Sequence, residues 1–312
     1  RLRIATVAYY ENYAANNLMY SHATHYSYDL HGNVIETIQD NPELKFMEQD
    51  LKSTQYDFEL ISGNVKAVHY QKGKNDAYTH KYTYDADNRL DKVFTSENGT
   101  TWDQDAHYHY YKHGPLARTE IGDWNVQGID YAYTINGWLK AINGNVLSQT
   151  SEMGNDGTNT DYNSNYANIH KDFSKDVFGF SLGYFNGDYN AIATSKQGFY
   201  TTLDNISTTG YNDNLGNSLY NGNIRHMATA LLDQNETPIN NLAAFYSYDQ
   251  LNRIKGMNAY VGTDYASASS MNNPYKTTYT YDPNGNLEFL TRNDHNGVLM
   301  DDFTYNYSTT AI

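Results

Sequence analysis

Two histidines in one short stretch are the first residues whose types and spacing suggest chemistry. In the tripeptide HYH (107–109) the imidazoles lie at i and i+2, which places both on one face of a strand, and His113 follows closely. Two histidines in this arrangement can bind a metal ion. The sequence fixes no third ligand, although Asp103 and Asp105 are near. We therefore interpret the pair as histidines on a solvated strand face and predict no metal site.

Four aspartates recur in nearly the same setting and resemble catalytic acids. Asp29, Asp85, Asp249 and Asp282 each follow a Tyr-x-Tyr pair, and each precedes a Gly or Asn by three positions. An aspartate at such a place caps a turn. Aspartates in separate repeats have no reason to meet at a catalytic separation. We therefore predict structural aspartates, no catalytic residue and no enzymatic activity in this segment.

An Asp-rich stretch, GNDGTNTDYNSN at residues 154–165, offers oxygen ligands of the kind that Ca²⁺ prefers. It does not match the calcium loop of the EF-hand, because the twelfth position holds no Glu. We interpret it as a solvated loop.

Composition excludes several other function classes. The chain has no Cys, which excludes disulfides, thiolate metal sites and cysteine nucleophiles. It contains no Gly-x-Ser-x-Gly, His-Glu-x-x-His or phosphate-loop motif, and we predict no cofactor. The formal net charge of −15 argues against a nucleic-acid partner. No run of 18 apolar residues is present, so we predict no transmembrane segment in this chain.

The aspartates belong to a repeated unit, Tyr-x-Tyr-Asp followed by a turn and an aliphatic residue. The Tyr-x-Tyr pairs begin at residues 26, 82, 108, 131, 246, 279 and 305, with a weaker copy at 56, and a step of 26 residues occurs three times. Tyr-x-Tyr-Asp occurs four times, whereas a shuffled chain of this composition would contain it about 0.3 times. Such recurrence indicates a building block of the fold.

Each position of the unit has a mechanical role in a β-hairpin. The two tyrosines lie on one face of the incoming strand, the aspartate caps a type I turn, and Gly or Asn at the fourth turn position tolerates a left-handed backbone. Stacked hairpins can pair edge to edge, so the repeats predict an all-β fold, a spiralling ribbon in which each repeat mainly contacts its neighbours. The residues assigned to this structural repeat are Tyr26, Tyr28, Asp29, Gly32, Tyr82, Tyr84, Asp85, Asn88, Tyr131, Tyr133, Gly137, Tyr246, Tyr248, Asp249, Tyr279, Tyr281, Asp282 and Gly285.

The unit resembles the YD-repeat, also called the RHS repeat, of bacterial polymorphic toxins and of the animal teneurins. Longer stretches are similar to the form found in Bacteroidota members of that family. They are VQGIDYAYTINGWLKAINGN (126–145), DVFGFSLGYFNGDY (176–189), LYNGNIRHM (219–227) and YSYDQLNRIKGMNAY (246–260).

The resemblance implies a solenoid-like β-shell that encloses or presents the C-terminal part of its own chain, often a toxin. It also implies a secreted or cell-surface protein, with type 9 secretion as the route in Bacteroidota and a sorting signal outside this chain. The implied partners are secretion components, an immunity protein or a neighbouring surface protein. Toxin-type relatives carry a self-cleaving aspartyl site at the end of the shell. Asp282 precedes a proline but belongs to a regular repeat, so we assign it no cleavage.

The whole chain, 1–312, is expected to form one shell segment of a longer protein. Consecutive repeats run from 1 to 147, a polar loop insertion occupies about 148–175, and degenerate repeats occupy about 176–245. The strand-like segments FGFSLGYF and GFYTTL lie in the degenerate part. The one helical expectation is a turn or two within Met47–Thr54.

A second hypothesis is a surface module, such as an adhesin that binds glycans or proteins. Exposed tyrosines and the three tryptophans, Trp102, Trp124 and Trp138, could stack on sugar rings. The direction of the tyrosine rings distinguishes the two hypotheses. Rings packed between neighbouring repeats favour the shell, and a solvent-facing row of rings favours the binding module.

Overall fold

A computed structural model describes residues 2–11, 20–147, 153–157, 170–191, 218–237, 239, 242–261 and 273–307. The chain forms two compact units, residues 1–126 and 127–312. The division falls upstream of the loop insertion that the sequence places at about 148–175. Each unit is an antiparallel sheet, so the fold is all-β, as the repeats predict.

Unit 1 is a sheet in which each described strand pairs with the next one along the chain. Its strands are β1 (Thr6–Tyr9), β2 (His22–Tyr28), β3 (Val34–Asp40), β4 (Leu51–Phe58), β5 (Val65–Tyr70), β6 (Tyr78–Tyr84), β7 (Leu90–Ser96), β8 (Asp103–Tyr110) and β9 (Leu116–Ile121).

Unit 2 repeats this arrangement of consecutive antiparallel strands. Its strands are β10 (Gln127–Tyr133), β11 (Leu139–Ile142), β12 (Phe178–Gly183), β13 (His226–Leu231), β14 (Leu242–Tyr248), β15 (Ile254–Val261), β16 (Thr277–Tyr281), β17 (Leu287–Asn293) and β18 (Leu299–Thr304). Strand β12 falls in the predicted strand-like segment FGFSLGYF, whereas GFYTTL (198–203) lies outside the described residues.

The predicted helical turn within Met47–Thr54 is wrong. A 3₁₀ helix covers Pro42–Met47, where Pro at the start fixes a helical φ, and β4 begins at Leu51. The chain after Met47 pairs with β3 instead, because Leu51 lies opposite Asp40 in the ladder. Within the described residues, no helix has the length and apolar character needed to cross a membrane.

The two units differ in how much apolar surface they bury. Among the described residues of unit 1, the buried apolar side chains are Ala23 and Ala106. Unit 2 buries paired alanines on adjacent strands, including Ala228 opposite Ala243, and it buries the rings of Phe245 and Tyr260. Those two rings meet edge to face with centroids 5.4 Å apart, a favourable aromatic geometry. Unit 1 is therefore held mainly by strand pairing and half-buried tyrosines.

His226 is a buried histidine of unit 2. Its ring lies 5.4 Å from that of Phe245, and it faces Gly183 on the neighbouring strand. A Cβ at position 183 would lie 2.0 Å from the His226 ring, so a glycine is required there. Burial lowers the pKa of His226 to about 3, and the positive charges of Arg225 and Lys140 act in the same direction.

We expect His226 to make unit 2 sensitive to acid. The folded state keeps the ring neutral, whereas the unfolded chain takes up a proton near the ordinary pKa of 6.5. This contribution to stability is therefore complete above pH 6.5 and is lost as the pH falls towards 3, by up to about 1.4 kcal/mol per pH unit. His226→Phe fills the same slot without a proton. Urea unfolding should show the native chain losing stability relative to this variant between pH 7 and pH 5. A pH-independent difference would contradict the assignment.

Candidate functional site at the contact between successive hairpins

The aspartate turn has one geometry, which the hairpin of β6 and β7 shows in full. The Asp85 backbone N–H donates to Arg89 O at 2.9 Å, and Asn88 N–H donates to Asp85 O at 3.0 Å. The Asp85 carboxylate oxygen Oδ1 accepts the backbone N–H groups of Asp87 and Arg89, both at 2.9 Å. Asn88 has φ of 60°, the left-handed conformation that the fourth turn position requires. The carboxylate therefore satisfies the turn backbone.

The other three repeat aspartates do the same. Oδ1 accepts Asn33 N–H for Asp29, Arg253 N–H for Asp249 and Asn286 N–H for Asp282, all at 2.8–2.9 Å. Burial acts to raise the pKa of Asp85, but its bonds with Arg89 outweigh burial and hold that pKa below its ordinary value. The side-chain bond from Asn286 does so for the pKa of Asp282. These carboxylates are occupied as hydrogen-bond acceptors.

The second tyrosine of each pair joins its hairpin to the preceding one. The Tyr84 hydroxyl donates to Val65 O at 2.8 Å, and the Tyr110 hydroxyl donates to Leu90 O at 2.7 Å. Val65 and Leu90 are the first residues of the preceding return strands. The same bond is made by Tyr28 to Ile4 O, Tyr248 to Ile224 O, Tyr281 to Ile254 O and Tyr307 to Leu287 O, at 2.8–3.0 Å.

A local irregularity accompanies this tyrosine. The pairing register shifts immediately before Tyr28, Tyr84, Tyr133, Tyr248 and Tyr281. In the β6–β7 hairpin, Thr83 pairs with Lys92 and Tyr84 pairs with Leu90, so Asp91 is an extra residue on the return strand. A bulge of this kind bends the strand and increases its twist. The turn, bulge and tyrosine therefore form one recurring device.

Arginine completes the contact in two repeats, a role that the sequence did not reveal. Arg89 binds Asp85 within its own turn through Nη2 and Oδ2 at 2.7 Å, and its guanidinium lies 4.4 Å from the centre of the Tyr110 ring. Arg253 likewise binds Asp249 and lies 4.7 Å from the centre of the Tyr281 ring. In each case the ring belongs to the next hairpin. The motif Asp-x-x-Asn-Arg, which both turns share, is the feature of the sequence that could have indicated this role.

Three further residues share parts of this pattern without the Tyr-x-Tyr-Asp motif. Asp233 and Asp294 cap turns by accepting the backbone N–H groups of Thr237 and Val298 at 2.8 Å. No Tyr-x-Tyr precedes them, so only the turn spacing identifies them. In the degenerate part, the Tyr184 hydroxyl donates to Leu139 O at 2.8 Å, although no second tyrosine lies two residues before it.

The assigned tyrosines are half-buried rather than aligned as a solvent-facing row. Tyr26, Tyr82, Tyr131, Tyr246 and Tyr279 are all of intermediate exposure. Burial raises the pKa of Tyr84 and Tyr248 above the ordinary value, which keeps their hydroxyls protonated as donors. Gly32, Gly137 and Gly285 sit at the fourth turn position with positive φ. The arginines bring the turns at Asp85 and Asp249 together with tyrosines of the adjacent hairpins.

Glu120 lies beside the paired histidines, although it is distant from them in the sequence. Glu120 on β9 lies directly opposite His107 on β8. Glu120 Oε2 is 3.3 Å from His107 Nδ1 and 3.1 Å from His109 Nε2. Burial acts to raise the pKa of Glu120, but the polar side-chain contact with His109 and the positive charges of His109, Arg118 and His107 lower it to about 2. Asp103 and Asp105, the carboxylates nearest in sequence, are not members of this group.

The position of Glu120 opposite His107 could have been predicted from the register of the hairpin. Tyr111 and Gly114 mark the turn between β8 and β9, with Gly114 N–H donating to Tyr111 O at 2.9 Å. Counting outward from that turn with one bulge places residue 120 opposite residue 107, which is the pairing observed.

The predicted solvated loop at 154–165 is wrong for its described part, 154–157. Asp156 is wholly buried, and its carboxylate lies with those of Asp130 and Asp176, their nearest oxygens within 4.8 Å of one another. Asn143 Nδ2 donates to Asp176 Oδ1 at 2.8 Å. His170 Nδ1 donates to Gly154 O at 2.8 Å and lies 3.9 Å from Asp156 Oδ1. This part of the insertion is anchored inside unit 2, because its polar groups have internal partners.

Comparisons with known proteins agree with this geometry at the level of fold. Neither the protein-family models nor the curated proteins include a match. Among solved structures, the chain is similar to TcdB2-TccC3 without its hypervariable C-terminal region and to TcdB2-TccC3-Cdc42, each with a TM-score of 0.53 and 14% identity. The chain therefore shares the fold of the matched part of these structures. In both comparisons the match covers 91% of this chain but only 12% of the larger one.

We expect the tyrosine hydroxyl to contribute measurably to stability. Tyr84→Phe removes the donor to Val65 O and should lower the free energy of unfolding by about 0.5–1.5 kcal/mol. Tyr82→Phe is the matched control, since no hydrogen bond of the Tyr82 hydroxyl is found among the described residues. Urea unfolding of the two variants measures the difference. Equal losses for both would show that the hydroxyl contact does not hold the hairpins together.

Proposed function

We propose that this chain is a wall section of a repeat shell, part of a large secreted or cell-surface protein that encloses or presents its own C-terminal region. The observation that carries the proposal is the recurring bond from a tyrosine hydroxyl to the preceding hairpin. It occurs in both units, for example at Tyr84 and Tyr281. A contact that fixes each hairpin to the last suits a wall built by addition of like parts.

Strand order supports the same role. Within each unit the described strands pair only with their neighbours in sequence, so the sheet lengthens by one hairpin at a time. Unit 1 in particular has few wholly buried apolar side chains among its described residues. Such a sheet is suited to surrounding a volume rather than to forming a thick central core.

The likeness to TcdB2-TccC3 supports enclosure of a C-terminal region. One of the matched structures was determined without the hypervariable C-terminal region of that protein, so there the repeat fold and a variable C-terminal region belong to one assembly. By analogy, the cargo of this shell is a C-terminal toxin or effector. The chain spans 12% of the length of that structure, so it would supply one portion of a wall.

The proposed role is mechanical rather than catalytic. The repeat aspartates, the residues most easily mistaken for acids in catalysis, are bonded to their own turns at Asp29, Asp85, Asp249 and Asp282. Their place in each turn is the same, which suits structural capping. We infer no enzymatic activity and no cofactor for this role.

The rival hypothesis of a glycan- or protein-binding module requires a row of exposed rings. Trp102 lies under the Lys81 ammonium, and Trp138 packs against Tyr184 with ring centroids 5.0 Å apart. Trp124 is largely exposed, with 87% of its surface accessible. One exposed tryptophan does not make a stacking strip, so the arrangement favours the shell.

Location and partners follow from the role. We propose a secreted or cell-surface protein, exported by a type 9 system if its origin is in Bacteroidota. Its partners would be secretion components, an immunity protein specific for the cargo, or a neighbouring surface protein. The net charge of −15 argues against a nucleic-acid partner, because an acidic surface repels the phosphate backbone.

Protease protection tests the proposal in the full-length protein that contains this chain. With a tag at its C-terminus, the C-terminal region should resist a nonspecific protease in the native protein. The triple variant Tyr84→Phe, Tyr110→Phe and Tyr248→Phe weakens three contacts and should increase cleavage. The matched control is Tyr82→Phe, Tyr108→Phe and Tyr246→Phe. A C-terminal region that is cleaved equally fast in the native protein and when expressed alone would contradict enclosure.

A further inference from the structure

The strongest unassigned cluster of ligand atoms lies on the β8–β9 hairpin of unit 1. It consists of the two imidazoles of His107 and His109 on β8 and the carboxylate of Glu120 on β9. Each offers one atom, and the three atoms lie within 4.8 Å of one another. Two histidines and a carboxylate form a ligand set that is common for zinc, and this set leaves a fourth position for water or a further ligand.

Two of the distances between ligand atoms are close to those around a tetrahedral metal. With metal–ligand bonds of about 2.0–2.2 Å at tetrahedral angles, ligand atoms lie about 3.3–3.6 Å apart. Glu120 Oε2 lies 3.3 Å from His107 Nδ1 and 3.1 Å from His109 Nε2. Because one oxygen makes both approaches, a single ion can bind Oε2 and both nitrogens.

The contact between His109 and Glu120 does not have the geometry of a good hydrogen bond. His109 Nε2 is buried, and among the described residues it has no hydrogen-bond partner, despite its 3.1 Å approach to Glu120 Oε2. A buried polar nitrogen without a partner is costly, since it has lost its water. An ion bound by its lone pair would satisfy this nitrogen, which is the second observation that points to a ligand here.

The surroundings already hold the ligands in position. Asp91 Oδ1 on β7 lies 3.4 Å from Nε2 of His107, the ring nitrogen that does not face Glu120. Carboxylates placed behind a histidine in this way fix its orientation and tautomer in many metal sites. Arg118 Nε lies 3.4 Å from Glu120 Oε1, the other carboxylate oxygen, which leaves Oε2 for an ion.

We propose that His107, His109 and Glu120 form a zinc-binding site that joins β8 to β9, with Asp91 as a positioning residue behind His107. The His107 and His109 side chains retain 24% and 41% of their exposure, so the site lies near the surface of the sheet.

Titration of the 312-residue chain with Zn²⁺ alone tests the site, with Co²⁺ as a spectroscopic probe. The native chain should bind one ion saturably at this site, and Co²⁺ should give the strong visible absorption of four-coordinate cobalt. His109→Ala and Glu120→Gln should each weaken binding by more than 100-fold, since each removes a ligand. His113→Ala, in the turn of the same hairpin, is the matched control and should bind as the native chain does.

Asp91→Asn tests the positioning role separately. It should weaken Zn²⁺ binding roughly 10–100-fold while leaving the cobalt band shape intact, because the three ligands remain. Circular dichroism of each metal-free variant checks that the sheet is formed, and Glu120→Gln serves if His109→Ala fails to fold. Absence of saturable binding by the native chain would overturn the proposal. So would binding that survives both ligand variants or is lost in His113→Ala.

Discussion

Successive hairpins are joined by a hydrogen bond from the hydroxyl of the second tyrosine to a backbone carbonyl at or just before the start of the preceding return strand. A β-hairpin alone is marginal in water, and a sheet built of hairpins in sequence order is held by contacts between neighbouring hairpins. The tyrosine hydroxyl supplies a directional contact at a fixed place in each repeat, as at Tyr84 and Tyr281. The ring beneath it covers apolar surface at the same time. One side chain therefore provides both burial and register.

The aspartate turn and the bulge place that tyrosine where it is needed. Capping by Asp85 fixes the turn. The extra residue at Asp91 bends the return strand and increases its twist, which sets the direction in which the next hairpin is added. Where arginine follows the turn, as at Arg89, it links the capped turn to the next tyrosine ring. The hairpin of β8 and β9 lacks the capping aspartate, because Tyr111 occupies its position. There the histidines and Glu120 lie across the two strands instead.

Much of this fold follows from the sequence, for reasons that particular residues show. The repeat of Tyr82, Tyr84 and Asp85 predicts strand, turn and return strand, because period-two tyrosines and a capped turn admit few other local structures. The contacts between successive hairpins are harder to predict. The partner of the Tyr84 hydroxyl is a backbone carbonyl, which has no side-chain signature. The role of Arg89 depends on a ring in the next repeat, and burial of Asp156 depends on residues far away in sequence.

Electron microscopy of the full-length protein tests whether this chain forms part of a shell wall. If this chain is a wall section, the map should show a shell of stacked β-hairpins around an internal volume, with density for the C-terminal region inside it. The tyrosine contacts described for Tyr84 and Tyr110 should be present along that wall. An open rod of the same repeats, with no internal volume and the C-terminal region outside, would contradict the account.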